Sequence, residues 1–542
     1  MVKISRRDFL AASAATIAGV TIWRGFGAAA PVVPGSLLGP RASVGHRLRD
    51  GTLPLPVRTE QLDVAIIGGG VAGLAAAHRL QKANPQQQLK LFELDSAVGG
   101  NARSGENEIS AYPWGAHYVP VLNEQTTQVR ALFEELGIIQ GYDAQQRPIY
   151  NEFYLCADPH ERLWFHGRWQ EGLVPNLGLT REESAEIARF FKLIDELRHA
   201  RGSDGRRAFE IPVDASSRDA QWLRWDQLSM AQWLRDNGYS VKPLLWYLNY
   251  CCRDDYGATL EQISAWAGLH YFAARDGIAA NTDGQNVVTW PAGNGFLVEQ
   301  LAERCRAVIQ KNSLVHSVQR HADRVHVDVY DVQRDESVRY NARAVIVAVP
   351  RYVAAKICAA DTDLGVSAEG CEYAPWAVAN ISVNRMPGGT GANLCWDNVV
   401  YGSPLLGYVI ATHQQLKMMP RATVLTYYWP LTHVAPAQAR QEALARSHEE
   451  WQAHFLDELL RVHPELKGHV QRIDVWVWGH GMIRPTPGFI WSGQRERWQR
   501  PQPPIFFAHS DLSGISIFEE AYTRGVQAAD GVLAMFKQRN VT

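Results

Sequence analysis

Gly68, Gly70 and Gly73, within "IIGGGVAGLAAA", follow the spacing G-x-G-x-x-G, and a carboxylate, Glu93, comes after them. Each glycine has its own physical task. The first permits a tight turn, the second lets the backbone approach a pyrophosphate, and the third lets a helix pack closely on a strand. The N-terminus of that helix would face the phosphates, where its free N–H groups favour negative charge. Glu93 is placed to accept hydrogen bonds from the hydroxyls of an adenosine ribose. The chemistry is dinucleotide binding, and these residues alone leave NAD and FAD both open.

Such a site works only if a strand enters the glycine turn and a helix leaves it. Residues 62–67 are a short apolar run, 72–80 have helical composition, and 89–93 read as a second strand, which makes a βαβ unit. Strand signals return at 325–330, at 344–349 and after residue 370, and "IFFAH" precedes a closing helix over 519–536. Between about 180 and 280 the sequence is helix-rich and aromatic. This order predicts an α/β fold of two interleaved domains, each assembled from several segments.

The stretch "ELDSAVGGNARSGE" places Gly99 and Gly100 after Glu93, with Arg103 close behind. It resembles the E-x5-GG-x-R signature of the flavin amine oxidase and phytoene desaturase superfamily, with Asn101-Ala102 standing before the arginine. "NSLVHSVQRHADRVHVDVYD" with "ARAVIVAVPRYVAAKI" resembles the second nucleotide-side segment of that superfamily, where Val315 matches the residue whose backbone meets adenine. "FFAHSDLSGISIFEEAYTRGVQAAD" resembles its C-terminal FAD motif. There Asp511 falls on the carboxylate that binds the ribityl chain. Glu520 and Ala521 fall at the helix start that faces the flavin pyrimidine ring, with Glu in place of the usual Gly.

The resemblance implies FAD, held non-covalently because the region before Phe507 lacks the Cys used by mitochondrial-type amine oxidases. It also implies a Rossmann-type FAD-binding domain of the amine-oxidase kind, over 61–155, 285–355 and 500–542. An α+β substrate domain would then take 156–284 and 356–499. A stretch like Gly115-Ala116-His117-Tyr118 lies beside the isoalloxazine in the superfamily, which makes His117 and Tyr118 candidates near the reacting carbon. Trp478, His480 and Trp491, from "WVWGHGMIRPTPGFIW", are candidates for an aromatic wall around an amine. His117 or His480 could serve as a base toward an ammonium. Many amine oxidases carry a Lys near flavin N5; Asn380 falls nearest that position, which suggests a dehydrogenase that passes electrons to an acceptor other than oxygen.

The 20–30 residues before the fingerprint are informative as well. "VVPGSLLGPRASVGHRLRDG", within a lead-in over 31–60 that reads as extended, resembles the corresponding part of bacterial spermidine dehydrogenases, which implies a polyamine-like substrate. Residues 1–30 combine Lys3, Arg6 and Arg7 with an apolar run and small residues, and resemble the bacterial twin-arginine (Tat) export signal. Tat carries folded cargo, and FAD is available in the cytoplasm, so a chain that folds around FAD is best exported to the periplasm already loaded. Two other readings share the fingerprint: a carotenoid-type desaturase or isomerase, and a non-catalytic electron-relay flavoprotein.

The 542 residues are 46% hydrophobic and 20% charged with a formal net charge of −2, which suits a globular chain with an ample core and argues against nucleic acid as a partner. Seven cysteines lack C-x-x-C spacing, and the histidines lack ligand spacing, so no metal site is expected. The oligomeric state is not legible.

Overall fold

The computed structural model describes residues 33–51, 53–416 and 420–539. The arginine pair and the apolar run behind it lie outside the described residues. The strand Pro56–Ile67 is buried at every position from Val64 to Ile67, as expected of a parallel strand covered on both faces. It occupies the middle of a seven-stranded sheet. Leu89–Phe92 pairs parallel on one side, with Ile309–Gln310 beyond it, and Glu336–Val347 pairs parallel on the other. The first part of Glu336–Val347 continues into an antiparallel ribbon with Arg324–Asp331 and Ser313–His321, while its last residues pair parallel with Ile505–Phe507.

The helix Val71–Ala83 packs on this sheet through Leu74, Ala75, Ala76, Ala77 and Leu80, all fully buried. The closing helix Phe518–Arg539 lies against it. Gly525 makes that approach possible, since a Cβ there would lie 2.2 Å from the Ala72 carbonyl oxygen.

A second, eight-stranded and largely antiparallel sheet runs in the order Leu37–Leu38, Val470–Ile483, Tyr373–Val383, Thr423–Pro430, Tyr408–Ile410, Asp397–Val400, Glu161–Phe165, Arg168–Glu171. Tyr373–Val383 is buried along its whole length. The helices Arg181–His199, Met230–Asp236, Lys242–Tyr256 and Ala265–Ala273 form an aromatic core that continues into this sheet. The chain therefore crosses between the two sheets several times.

The lead-in differs from the expected extended segment. Leu37–Leu38 adds an edge strand parallel to Val475 and Trp476, Ala42–Gly45 and Arg47–Asp50 form helical turns, and the first strand of the nucleotide sheet already begins at Pro56. Gly35 lets the lead-in dock, because a Cβ there would lie 1.7 Å from the Ile473 carbonyl oxygen. A two-residue strand and single helical turns carry too few residues for a periodicity to show. All seven cysteines are free thiols, six of them buried.

Candidate active site

Gly70 caps the N-terminus of Val71–Ala83 in an extended conformation, with no side-chain cap for the first turn. The helix therefore presents its N–H groups to the cleft above it. Gly68 has φ +102°, and a Cβ there would lie 2.5 Å from the Ala348 carbonyl oxygen; a Cβ on Gly73 would lie 1.9 Å from the Gly68 carbonyl oxygen. A Cβ on Gly70 would meet no atom within 4 Å and would project into open space. Gly99 N donates to Gly69 O at 2.8 Å, which lays the Gly99-Gly100 turn over the first glycine loop. Glu93 accepts from Gly69 N at 2.7 Å and from Asp95 N at 2.8 Å. Its carboxyl is pushed up to about 6 by burial, with those two N–H donors opposing.

These residues line a cleft of about 250 Å³ that also takes in Pro350, Tyr373, His480, Asp511, Ser516 and Ala521. At one end the cleft meets an apolar inner cavity of about 140 Å³, with Asn101, Ala116, Asn294, Gly481 and Met482 lining both. The side-chain oxygen of Asn294 is buried there without a partner, a position suited to a donor on a bound molecule. A glycine cradle open to a backbone-sized approach, a buried ribose-type carboxylate and an unsatisfied acceptor at the junction together fit FAD. Glu93, the glycine loops and Asp511 would hold its dinucleotide part, and the inner cavity would receive its ring.

The inner cavity joins an outer one of about 400 Å³ across His117, Tyr118, Pro120, Asp254, Arg275 and Tyr428, which line both. His117 stacks on Tyr428 at 4.6 Å and 25° and lies 5.5 Å from the Trp396 ring. Burial lowers its pKa to about 4, so the ring is neutral at pH 7. Burial raises the Tyr118 hydroxyl, which accepts from Arg275 Nη1 at 3.2 Å. Trp478 also lines the inner cavity, and its indole N–H donates to Trp114 O at 2.6 Å.

Other candidates sit elsewhere. His480 lines the dinucleotide cleft, where it stacks on Tyr352 at 4.5 Å, and it reaches neither substrate-side cavity. Trp491 is packed edge-on against Trp266 at 5.1 Å, beneath Arg218 and Arg495, and lines none of the three cavities. Arg103 is held by Asp95 at 3.0 Å and by the Ala97 carbonyl, and does not line the cleft. The Val315 side chain is buried in the sheet core, outside the cleft lining. Ala521 lines the cleft, but Glu520 turns away from it: its Oε1 accepts from Val213 N at 2.5 Å. Asn380 binds Pro113 O at 3.1 Å and Thr426 at 2.6 Å, outside the cavities; Trp376 and Val378, earlier on the same strand, line the inner one.

Sequence reasoning missed Asp254, Arg275, Glu161, Asp397, Trp396, Tyr428 and Glu519. Glu161 and Asp397 are partners across a parallel strand pair and both face the outer cavity. Glu519 lines the inner cavity, its carboxyl pushed up to about 7 by burial. One signal was available: Arg253-Asp254-Asp255 is a charged run inside a helix whose neighbours Cys251, Cys252 and Tyr256 are almost wholly buried, and buried charge is rare without a purpose.

A family model described as flavin containing amine oxidoreductase matches residues 71–533. The chain belongs to that family. A Dictyostelium discoideum protein described as a flavin-containing monoamine oxidase A is 22% identical over 303 residues, 54% of this chain and 59% of that one. A Mycobacterium tuberculosis protein described as a flavin-containing monoamine oxidase, AofH, is 25% identical over 300 residues, 53% of this chain and 57% of its own length. The chain thus spans less than two thirds of these curated relatives. Among solved structures, a putrescine oxidase triple mutant superposes with TM-score 0.65 at 16% identity, covering 88% of this chain and all of that one. Cyclohexylamine oxidase from Brevibacterium oxydans gives 0.63 at 16%, with the same coverage. A fatty acid isomerase from P. acnes gives 0.59 at 18%, covering 86% of this chain and 97% of that one. At such identities these likenesses establish the fold.

Proposed function

We propose that this enzyme oxidises a polyamine-like amine at a carbon beside nitrogen, acts as a dehydrogenase, and is exported by the Tat route with non-covalent FAD already bound. The observation that carries the substrate reading is the charge of the outer cavity. Glu161, Asp254 and Asp397 face it, while of its cations Arg275 is paired with Asp255 and Arg198 with Asp195 at 2.9 Å. Asp254 and Asp397 are half-buried and Glu161 is exposed, and carboxylates gathered around one cavity without a paired cation favour a cation there. The aromatic faces of Trp396, Tyr250 and Tyr428 suit the stem of a charged amine. A neutral lipid would gain nothing from that charge, which argues against the desaturase reading.

Bound FAD would supply the redox chemistry, accepting hydride from the substrate carbon. The chain does the rest. Carboxylates draw the cation into the outer cavity, the His117–Tyr428 stack narrows the passage inward, and the apolar inner walls exclude water from the reacting carbon. No lysine lines the cleft or the inner cavity among the described residues, which supports an acceptor other than oxygen. No cysteine lines them either, which supports a flavin released by acid.

The test is the anaerobic visible spectrum of the FAD-loaded protein with a panel of mono-, di- and polyamines. Bleaching by diamines and polyamines ahead of monoamines is the expected result, and a flavin band that every amine leaves intact overturns the reading. Rapid reoxidation of the reduced protein by air would overturn the dehydrogenase part. Export without loss in an Arg6→Lys/Arg7→Lys variant would overturn the Tat part.

A further inference from the structure

Asp254 is the carboxylate that lines both the inner and the outer cavity. It stands near the end of the helix Lys242–Tyr256, next to Asp255. The two differ in their surroundings. Asp255 is paired with Arg275, whereas the Asp254 carboxylate makes no hydrogen bond or ion pair to any described residue. An unpartnered carboxylate inside a protein is costly to maintain, and here it stands where an amine passing from the outer cavity to the flavin must go.

An ammonium is a poor hydride source. Its nitrogen has no lone pair to stabilise the positive charge that develops on the neighbouring carbon as hydride leaves. With an alkylammonium pKa near ~10, only about one molecule in a thousand is neutral at pH 7. A base inside the site removes that limitation.

We infer that Asp254 takes the proton from the ammonium of the bound substrate. This rests on the amine reading above. The step is balanced within the site: one N–H bond of the ammonium breaks, an O–H bond forms on Asp254, and the electron pair stays on nitrogen. The opposite charges of substrate and carboxylate vanish together, which favours the neutral pair in a cavity with little water.

The electrostatics agree. Burial first, then Asp255, pushes the Asp254 carboxyl up to about 7; Glu161 adds to this, while Arg275 and Arg253 oppose it. Arg275 is held by Asp255 and Tyr118, and Arg253 by the carbonyls of Ser403 and Pro404. Asp397 and the hydroxyls of Tyr250, Tyr428 and Tyr118 complete the groups around these cavities. The other candidates fit less well. His117 is held to about 4 by burial, His480 reaches neither substrate-side cavity, and Glu519 lines only the inner one.

The experiment follows anaerobic flavin bleaching at subsaturating diamine, where the rate reports the groups of the free protein, from pH 6 to pH 10 in the FAD-loaded wild type, Asp254→Asn and Asp254→Glu. The wild-type rate should rise through about pH 7 and level off. D254N should be slower by ~1,000-fold at pH 7, and should recover about tenfold per pH unit toward pH 10, where the solvent supplies neutral amine. D254E should keep the wild-type profile with a modest loss. A second readout needs no turnover: a tert-alkylamine, which has no hydrogen on the carbon beside nitrogen, should produce a protonated-carboxyl band in the infrared difference spectrum of the wild type, absent in D254N. A D254N variant with the wild-type rate and profile, or one slowed equally at every pH, overturns the base. If no amine bleaches the wild type, the amine reading falls and this inference falls with it.

Discussion

Tyr373 Oη donates to Asp511 Oδ2 at 2.6 Å, which joins the central strand of the substrate-side sheet to the turn that follows the last strand of the nucleotide sheet. The backbone N–H of Arg351 donates to the same oxygen at 2.8 Å, and the His509 ring lies 3.0 Å from Oδ1. Burial works against ionisation of Asp511, but the His509 ring, the Tyr373 hydroxyl and the Arg351 N–H outweigh it and hold the carboxyl below its ordinary value. Asp511 is thus fixed as an anion facing the cleft. Removing the hydroxyl with Tyr373→Phe loosens that anion. A hydrogen bond to a charged group contributes ~1.5–3 kcal/mol, so the FAD dissociation constant should rise about tenfold or more in a fluorescence titration of the apoprotein. An unchanged constant would mean that Asp511 does not touch the cofactor.

Gly70 and Gly73 should separate cofactor binding from folding. A Cβ on Gly73 would collide with the Gly68 carbonyl oxygen at 1.9 Å, between two backbone segments that cannot yield cheaply. Gly73→Ala should therefore express poorly or melt early. A Cβ on Gly70 meets nothing within 4 Å, so Gly70→Ala should leave the apoprotein as stable as the wild type. FAD should nonetheless be lost from it on dialysis, because the methyl group takes the space of a pyrophosphate. A Gly70→Ala protein that retains full FAD would remove the cradle assignment.

Glu93 links cofactor affinity to pH. Its folded pKa, about 6, lies above the ordinary 4.5. Its contribution to the stability of the apoprotein is therefore complete below about pH 4.5 and is lost as pH rises through about 6. Ribose hydroxyls donate to the ionised form, so binding draws on the carboxylate and pulls the pKa down. FAD affinity should rise between pH 5 and pH 7, and Glu93→Gln should bind weakly with a flat profile over that range. A wild-type affinity independent of pH would contradict the ribose role.

The parts of this protein that were legible in the sequence are those in which physics acts locally. The glycine spacing, the apolar run before it and the carboxylate after it belong to one contiguous βαβ segment, so the strand Pro56–Ile67, the helix Val71–Ala83 and the strand Leu89–Phe92 could all be anticipated, the first strand beginning six residues earlier than expected, the helix longer at both ends and the second strand one residue shorter. The second sheet was harder. Its strands pair across long separations, such as Asp397 with Glu161, and no local pattern announces a partner more than two hundred residues away. The same limit hid the acidic outer cavity, whose carboxylates come from two strands and a helix. It also misled the reading of Trp491, whose partner Trp266 is more than two hundred residues away in the chain.

Glu520 illustrates how a departure from a family pattern can be structural. The resemblance expects a glycine at this helix start, and a glutamate there reads as a group that would crowd or retune the flavin ring. In the fold its carboxylate instead turns away from the cleft into a buried position, where Oε1 accepts from the Val213 N–H at 2.5 Å and Arg524 stands nearby. Burial raises the carboxyl, and Arg524 opposes that shift. Glu520→Ala would leave the Val213 N–H without its partner in a buried position, at a cost of ~1–3 kcal/mol. The denaturant midpoint should fall, while Glu520→Gln, which keeps an acceptor, should lose less. Because the side chain points away from the cleft, the flavin spectrum and reduction potential of Glu520→Ala should match the wild type. A shifted potential with an unchanged midpoint would place the carboxylate against the ring after all.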